Sequence, residues 1–127
     1  MSRILLAEDD DSMRLFLARE LERAGHEVTA VADGVDALPM LGPGRFDVLV
    51  SDLVMPEVDG LALAQRATAA DPLLKVIFIT GFSGVALKAS ESMRGIPVLS
   101  KPFHLKTLVE AVGEALASEQ PPLRPTR

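Results

Sequence analysis

The sequence predicts an α/β fold: a single, doubly wound, open parallel sheet of five strands with helices on both faces. Three observations carry this. Strand-like and helix-like segments alternate along the chain, the pattern of repeated β–α units joined by right-handed crossovers. The strand segments "RILLA" (3–7), "DVLVSD" (47–52) and "KVIFIT" (75–80) are apolar runs rather than alternating ones, as in strands covered on both faces. The length, 127 residues with no internal repeat, suits one domain.

Each element has its own signal. "RILLA" is too short for a helix and opens the sheet. From Ser12 the period changes, and Met13, Phe16, Leu17, Leu21 and Ala24 fall on one helical face. Asp11 or Ser12 is expected to cap that helix and Gly25 to end it. "EVTAVA" (27–32) reads as a strand, and "GVDALPML" (34–41) as a short helix that Pro39 kinks or stops early. "GPG" (42–44) is a turn before the third strand. "GLALAQRATAA" (60–70) is a helix rich in small residues, followed by the fourth strand at 75–80. A short, weak helix is expected between Gly81 and Gly95. "IPVLS" (96–100) is a fifth strand, with Pro97 suited to an edge. Leu105, Leu108, Val109, Val112 and Leu116 make the apolar face of the last helix. Residues 1–118 form the expected domain, and 119–127, polar and proline-rich, a disordered tail.

Composition narrows the chemistry. With no cysteine, disulfides and thiolate metal sites are excluded. A net charge of −5 offers no general attraction to nucleic acid or to an anionic membrane. No apolar run approaches a membrane span, and the acidic "EDDD" stands where a signal peptide would need apolar residues. A cytoplasmic protein is the expectation.

In open α/β sheets ligands bind beyond the carboxyl ends of the strands. Strand one ends in Glu8, Asp9 and Asp10, strand three in Asp52, strand four in Thr80, and strand five just before Lys101. Carboxylates, a hydroxyl and an ammonium therefore converge on one rim. Carboxylates held together repel unless a cation sits among them, and hard oxygen donors without His or Cys favour Mg²⁺. A metal beside a carboxylate nucleophile, with a lysine and a hydroxyl to meet the transferring oxygens, makes a site for phosphoryl transfer. Each residue alone has a blander reading. "EDDD" alone fits a solvated turn or helix cap better than a metal site, and Asp52 could cap the next turn. Thr80 is a common strand residue, and Lys101 before Pro102 could be plain surface. Joint placement at the strand ends of one sheet favours the functional reading. His26 and His104 have no supporting pattern and read as surface residues. Met13, Met40, Met55 and Met93 read as packing.

The stretches "RILLAEDDDSMR", "DVLVSDLVMPEVDG", "KVIFITG" and "VLSKPF" together resemble the receiver domain of two-component response regulators, over roughly residues 3–118. The resemblance implies a flavodoxin-like fold with sheet order 2-1-3-4-5. It implies that Asp52 is the phosphoacceptor, Glu8 and Asp9 the acidic pair, Thr80 the switch hydroxyl, and Lys101 the cation on the phosphoryl group, before a cis Lys101–Pro102 bond. Asp9, Asp52 and the backbone carbonyl of Val54 would hold Mg²⁺, with Glu8 acting through water. The implied donor is a histidine kinase or histidine phosphotransfer protein of a bacterial phosphorelay. The implied output is contact with a downstream protein, in a regulator that is not a turnover enzyme. The wording "LLAEDDDSMR" with "ITGF" and "KPF" is similar to stand-alone regulators of the CpdR type, which act in alphaproteobacterial cell-cycle phosphorelays and direct a regulated protease.

Some positions depart from the family. Receivers often carry Tyr or Phe three residues before the lysine; here Val98 stands there, and the chain has no Tyr or Trp. Coupling of Thr80 to an inward-turning ring therefore lacks its ring, and loop and helix motion is the remaining route. Three alternatives stand beside the stand-alone reading. "SDLVMPEVDG" also resembles receivers attached to hybrid histidine kinases. A Mg²⁺-dependent phosphatase of the haloacid dehalogenase type uses similar groups. Its nucleophile, however, lies on the first strand in a D-x-D pattern, whereas here the residue two after Asp52 is Val54. A degenerate receiver would lack one or more of Glu8, Asp9, Asp52, Thr80 and Lys101, all of which are present.

Overall fold

The strands pair in the order β2-β1-β3-β4-β5, all parallel, in a computed structural model that describes residues 2–53, 55, 58–80, 98–100 and 105–117. The order is the expected one. β1 (Arg3–Ala7), β3 (Val48–Asp52) and β4 (Lys75–Thr80) are the central strands, and all three are buried on both faces. β2 (Glu27–Val31) and β5 (Val98–Ser100) are the edges. β2 is one residue shorter than expected at its end, and β3 one residue shorter at its start.

Alternate residues of the central strands feed two separate cores, because successive side chains leave a strand on opposite faces. Leu5, Leu49, Val76 and Phe78 pack with Leu63, Ala64 and Ala67 of α3 (Gly60–Ala70) and with Ala37 of α2 (Gly34–Ala37). Ile4, Leu6, Val48, Val50, Ile77 and Ile79 pack with Leu17, Ala18 and Leu21 of α1 (Asp11–Arg23) and with Leu108, Ala111, Val112 and Ala115 of α4 (Leu105–Ala117). Register aligns the layers: Leu5 pairs with Leu49 and Leu49 with Val76, while Leu6 pairs with Val50 and Val50 with Ile77. The small residues of α3 let that helix lie close to the sheet.

The termini of α1 correct the sequence reading. The helix begins at Asp11, and Asp10 is its cap: its carboxylate accepts the Met13 N–H at 2.9 Å. Asp10, Asp11 and Ser12 are all good capping residues. Asp10 takes the role because it keeps extended backbone while the chain turns off β1. Phe16 is half exposed and Ala24 exposed, so neither lies on the buried stripe. That stripe is narrower and centred on Leu17, Ala18 and Leu21, which puts Phe16 at its margin. Gly25 ends the helix as expected. It has φ +99°, donates to the Glu22 carbonyl at 3.0 Å, and is followed by His26 donating to Leu21 at 3.2 Å, the paired closure that a left-handed residue allows. His26 is half-buried rather than a plain surface residue, and its Nδ1 is enclosed with no hydrogen-bond partner among the described residues.

Pro39 stops α2 early: the helix runs only to Ala37, and a 3-10 turn spans Leu38–Met40. Gly44 of the "GPG" turn has φ +72°, and its N–H donates to the buried carboxylate of Asp71 at 3.0 Å. Several expectations lie outside the described residues: the helix between Gly81 and Gly95, Ile96 and Pro97 of the fifth strand, Met93, Pro102, His104, and the tail at 119–127. No helix among the described residues is long and apolar enough to cross a membrane.

Candidate phosphoryl-transfer site

Asp52 is the last residue of β3, a strand whose five residues are all buried. Its neighbours tie down the backbone. The Leu53 N–H donates to the Ile79 carbonyl of β4 at 2.9 Å. The Gly60 N–H returns from the start of α3 to the Leu53 carbonyl at 3.0 Å, and the Ser51 hydroxyl donates to the Asp52 carbonyl at 3.0 Å. Asp59 caps α3 by accepting the Ala62 N–H at 2.8 Å, which fixes where the helix begins. Gly60 stands so close to β3 that a Cβ there would overlap the carbonyl oxygen of Asp52. Glycine is required by this approach of backbone to backbone.

Glu8 follows the last residue of β1. Its N–H continues the ladder to the Val31 carbonyl at 3.1 Å, and its side chain is fully buried. The Asp10 N–H donates to its carboxylate at 3.4 Å. Asp9 is exposed. The structure brings Glu8, Asp9 and Asp52 together: one carboxylate oxygen from each lies within 4.8 Å of the others. Asp10 lies outside this cluster and serves instead as the cap of α1. Thr80 ends β4, one residue past Ile79, the register partner of Asp52, and is fully buried. Thr80 in turn pairs with Ser100, the residue before Lys101. Lys101, Val54 and Phe82 lie outside the described residues.

The acidic cluster suits a small hard cation. It offers only oxygen donors, and opposite ligands of Mg²⁺ stand roughly 4.2 Å apart, twice a metal–oxygen distance of about 2.1 Å. The 4.8 Å grouping is close to that span, which suits Asp9 and Asp52 as direct ligands with Glu8 reaching the ion through water. Val98 is partly buried and packs against the α3-side core, opposite Phe78.

Sequence patterning did not single out Gly60, Ser51 or Arg14. Gly60 reads in the sequence only as the first residue of the helix at 60–70, and its contact with Asp52 depends on how α3 docks. Arg14 lies in the first turn of α1, and one of its nitrogens donates to the Glu8 carbonyl at 2.9 Å. The Asp11–Arg14 spacing of three on a helix was its available signal.

Comparison with known proteins agrees with this geometry. Residues 4–113 match the family described as the response regulator receiver domain. The chain is 52% identical over 117 residues to the response regulator receiver protein CpdR of Brucella abortus (strain 2308), covering 91% of this chain and 98% of that one. The crystal structure of the receiver domain from the hybrid histidine kinase CckA superposes with a TM-score of 0.76 at 37% identity, over 90% of this chain and 98% of that one. The response regulator TrrA of Thermotoga maritima, in complex with Mg²⁺–BeF, superposes with a TM-score of 0.77 at 27% identity, over 91% of this chain and all of that one. The phosphatase alternative does not survive the family match. The chain belongs to the response regulator receiver domain family.

Proposed function

We propose that this receiver takes a phosphoryl group onto Asp52 from a phosphohistidine and signals the change through protein contact. The observation that carries the assignment is the gathering of Glu8, Asp9 and Asp52 at the ends of adjacent strands, with Thr80 closing the neighbouring one. A carboxylate oxygen of Asp52 attacks phosphorus, a P–O bond forms, the P–N bond breaks, and the departing imidazole takes up a proton. Thr80 donates a hydrogen bond to one transferred oxygen, and Lys101, which follows β5, carries positive charge to another. Mg²⁺, held by Asp9, Asp52 and the Val54 carbonyl with Glu8 acting through water, would neutralise charge on the transferring oxygens. Such a protein assists its own phosphorylation but is not a turnover enzyme. The added charge biases a two-state equilibrium of the surface.

The donor is a histidine kinase or a histidine phosphotransfer protein, acting in the cytoplasm. The resemblance to CpdR-type regulators makes a regulated protease system the downstream partner to test. The same chemistry serves a receiver joined to a hybrid histidine kinase, the arrangement that the CckA likeness offers. Intact mass after incubation with acetyl phosphate tests the assignment. Wild type gains one phosphoryl group when Mg²⁺ is present and none in EDTA, and Asp52→Asn gains none. Equal labelling of Asp52→Asn would move the acceptor elsewhere.

A further inference from the structure

The β1 ladder ends at Ala7, which pairs with Val31 on one side and Ser51 on the other. One residue later the chain carries the acidic pair, and the peptide joining Glu8 to Asp9 sets where both side chains point. The N–H of Glu8 still reaches β2, but its carbonyl lies past the ladder. Arg14 receives that carbonyl. Its Nη1 donates to the Glu8 oxygen at 2.9 Å, and its Nη2 meets Asp11 Oδ1 at 2.6 Å. The Arg14 side chain is only 22% exposed, while that of Asp11 is 89% exposed. Arg14 is itself anchored, because its N–H makes the first helical bond of α1, to the Asp10 carbonyl at 2.8 Å.

We infer that Arg14 is a positioning residue for the cation site: its planar fork clamps the Glu8–Asp9 peptide to the first turn of α1 and so aims the two carboxylates at Asp52. The guanidinium suits this role, since its donors are fixed in one plane and it stays charged at any working pH. The salt bridge with Asp11 orients the fork and offsets its charge, which reduces its repulsion of a nearby cation. This inference rests on the reading of Glu8, Asp9 and Asp52 as a Mg²⁺ site.

The test turns on the sign of an effect. A positive side chain near a cation site opposes cation binding by charge alone, so its removal should tighten binding. A positioning role predicts the reverse. Mg²⁺ affinity is read by calorimetric titration of the full chain, at a temperature well below the melting point of each variant. Wild type should bind and Asp9→Ala should bind far more weakly. Arg14→Met, which keeps length and loses both donors, should bind about tenfold more weakly than wild type, equivalent to ~1.4 kcal/mol. Arg14→Lys keeps one donor and should recover at least half of that loss. Arg14→Met binding as tightly as wild type, or more tightly, overturns the inference and leaves the metal site standing. Arg14→Lys binding no better than Arg14→Met also overturns it, since the bond to Glu8 would then not be the agent. Absence of Mg²⁺ binding in wild type overturns both.

Discussion

Gly60 leaves no room for a side chain against Asp52: the first residue of α3 packs its bare Cα side on the carbonyl of the last residue of β3. The acceptor aspartate therefore gets its backbone position from the helix that follows it as well as from the sheet. Gly60→Ala must push α3 outward or twist the end of β3, because the obstructing atoms are main chain. Overpacking of this kind costs about 1–3 kcal/mol, which corresponds to a melting temperature lower by on the order of 10 °C. Phosphorylation by acetyl phosphate should slow as well, because Asp52 shifts. Gly113 provides the contrast. It lies exposed within α4, and among the described residues nothing beyond its chain neighbours and its own helix's backbone comes within 4 Å of a built Cβ, so Gly113→Ala should stabilise by roughly 0.5–1 kcal/mol. Thermal melts of both variants check the pair.

Three acidic side chains held within 4.8 Å of one another should make folding sensitive to Mg²⁺. A ligand at about 100 times its Kd adds roughly 2.7 kcal/mol to stability. The melting temperature should therefore rise by several degrees between EDTA and saturating Mg²⁺, and much less in Asp9→Ala. Circular dichroism is the suitable probe, since the chain has no Trp or Tyr to report by fluorescence. A wild-type melting temperature that ignores Mg²⁺ would count against a formed site.

His26 should give the fold a modest pH dependence. Burial lowers its pKa below the usual 6.5, and the positive chain terminus lowers it further. A base with a lowered folded pKa binds its proton more readily when unfolded, so stability rises with pH in this range. The contribution is full above the ordinary histidine pKa and is lost as pH falls through the lower, folded value. Urea unfolding at pH 7.5 and pH 5 should show the larger midpoint at the higher pH, and His26→Gln should narrow the gap. An unaltered gap would place the proton uptake on other groups.

The lifetime of the phosphoryl group should be long. Resemblance to the family places Val54 and Phe82, two residues after Asp52 and Thr80, beside the path of an attacking water. Neither side chain can orient a water by hydrogen bonding, and Phe82 is bulky. The double variant Val54→Asn with Phe82→Glu should lose phosphate about tenfold faster, if ~1.4 kcal/mol of barrier depends on these side chains. A decay course of the phosphoprotein in Mg²⁺ measures this, and equal rates would mean that water access here does not set the lifetime.

The parallel sheet was legible because β1, β3 and β4 are buried on both faces, which removes polar residues from their sequence. The rim was legible because strand ends are where charge interrupts those runs, as at Glu8 and Asp52. Local choices were harder to read. Asp10, Asp11 and Ser12 have similar capping ability, and the direction of the chain leaving β1 decided among them. Phe16 satisfies a helical period yet stays half exposed, because period alone does not fix the width of the stripe that a sheet can cover. Gly60 and Arg14 act through tertiary approach, to the Asp52 carbonyl and the Glu8 carbonyl, and no local pattern encodes either distance.

The acidic triad is split between β1 and β3, and the register partners Leu5 and Leu49 are 44 residues apart, with all of β2 formed in between. A partly folded chain can hold the β1–α1–β2 unit, whose partners Leu5 and Thr29 are only 24 residues apart, without having a site. Closure of the longer loop carries the larger entropic cost, so β3 is expected to join late. A cation held jointly by Asp9 and Asp52 would then meet both only after the transition state, slowing unfolding and leaving the folding rate nearly unchanged.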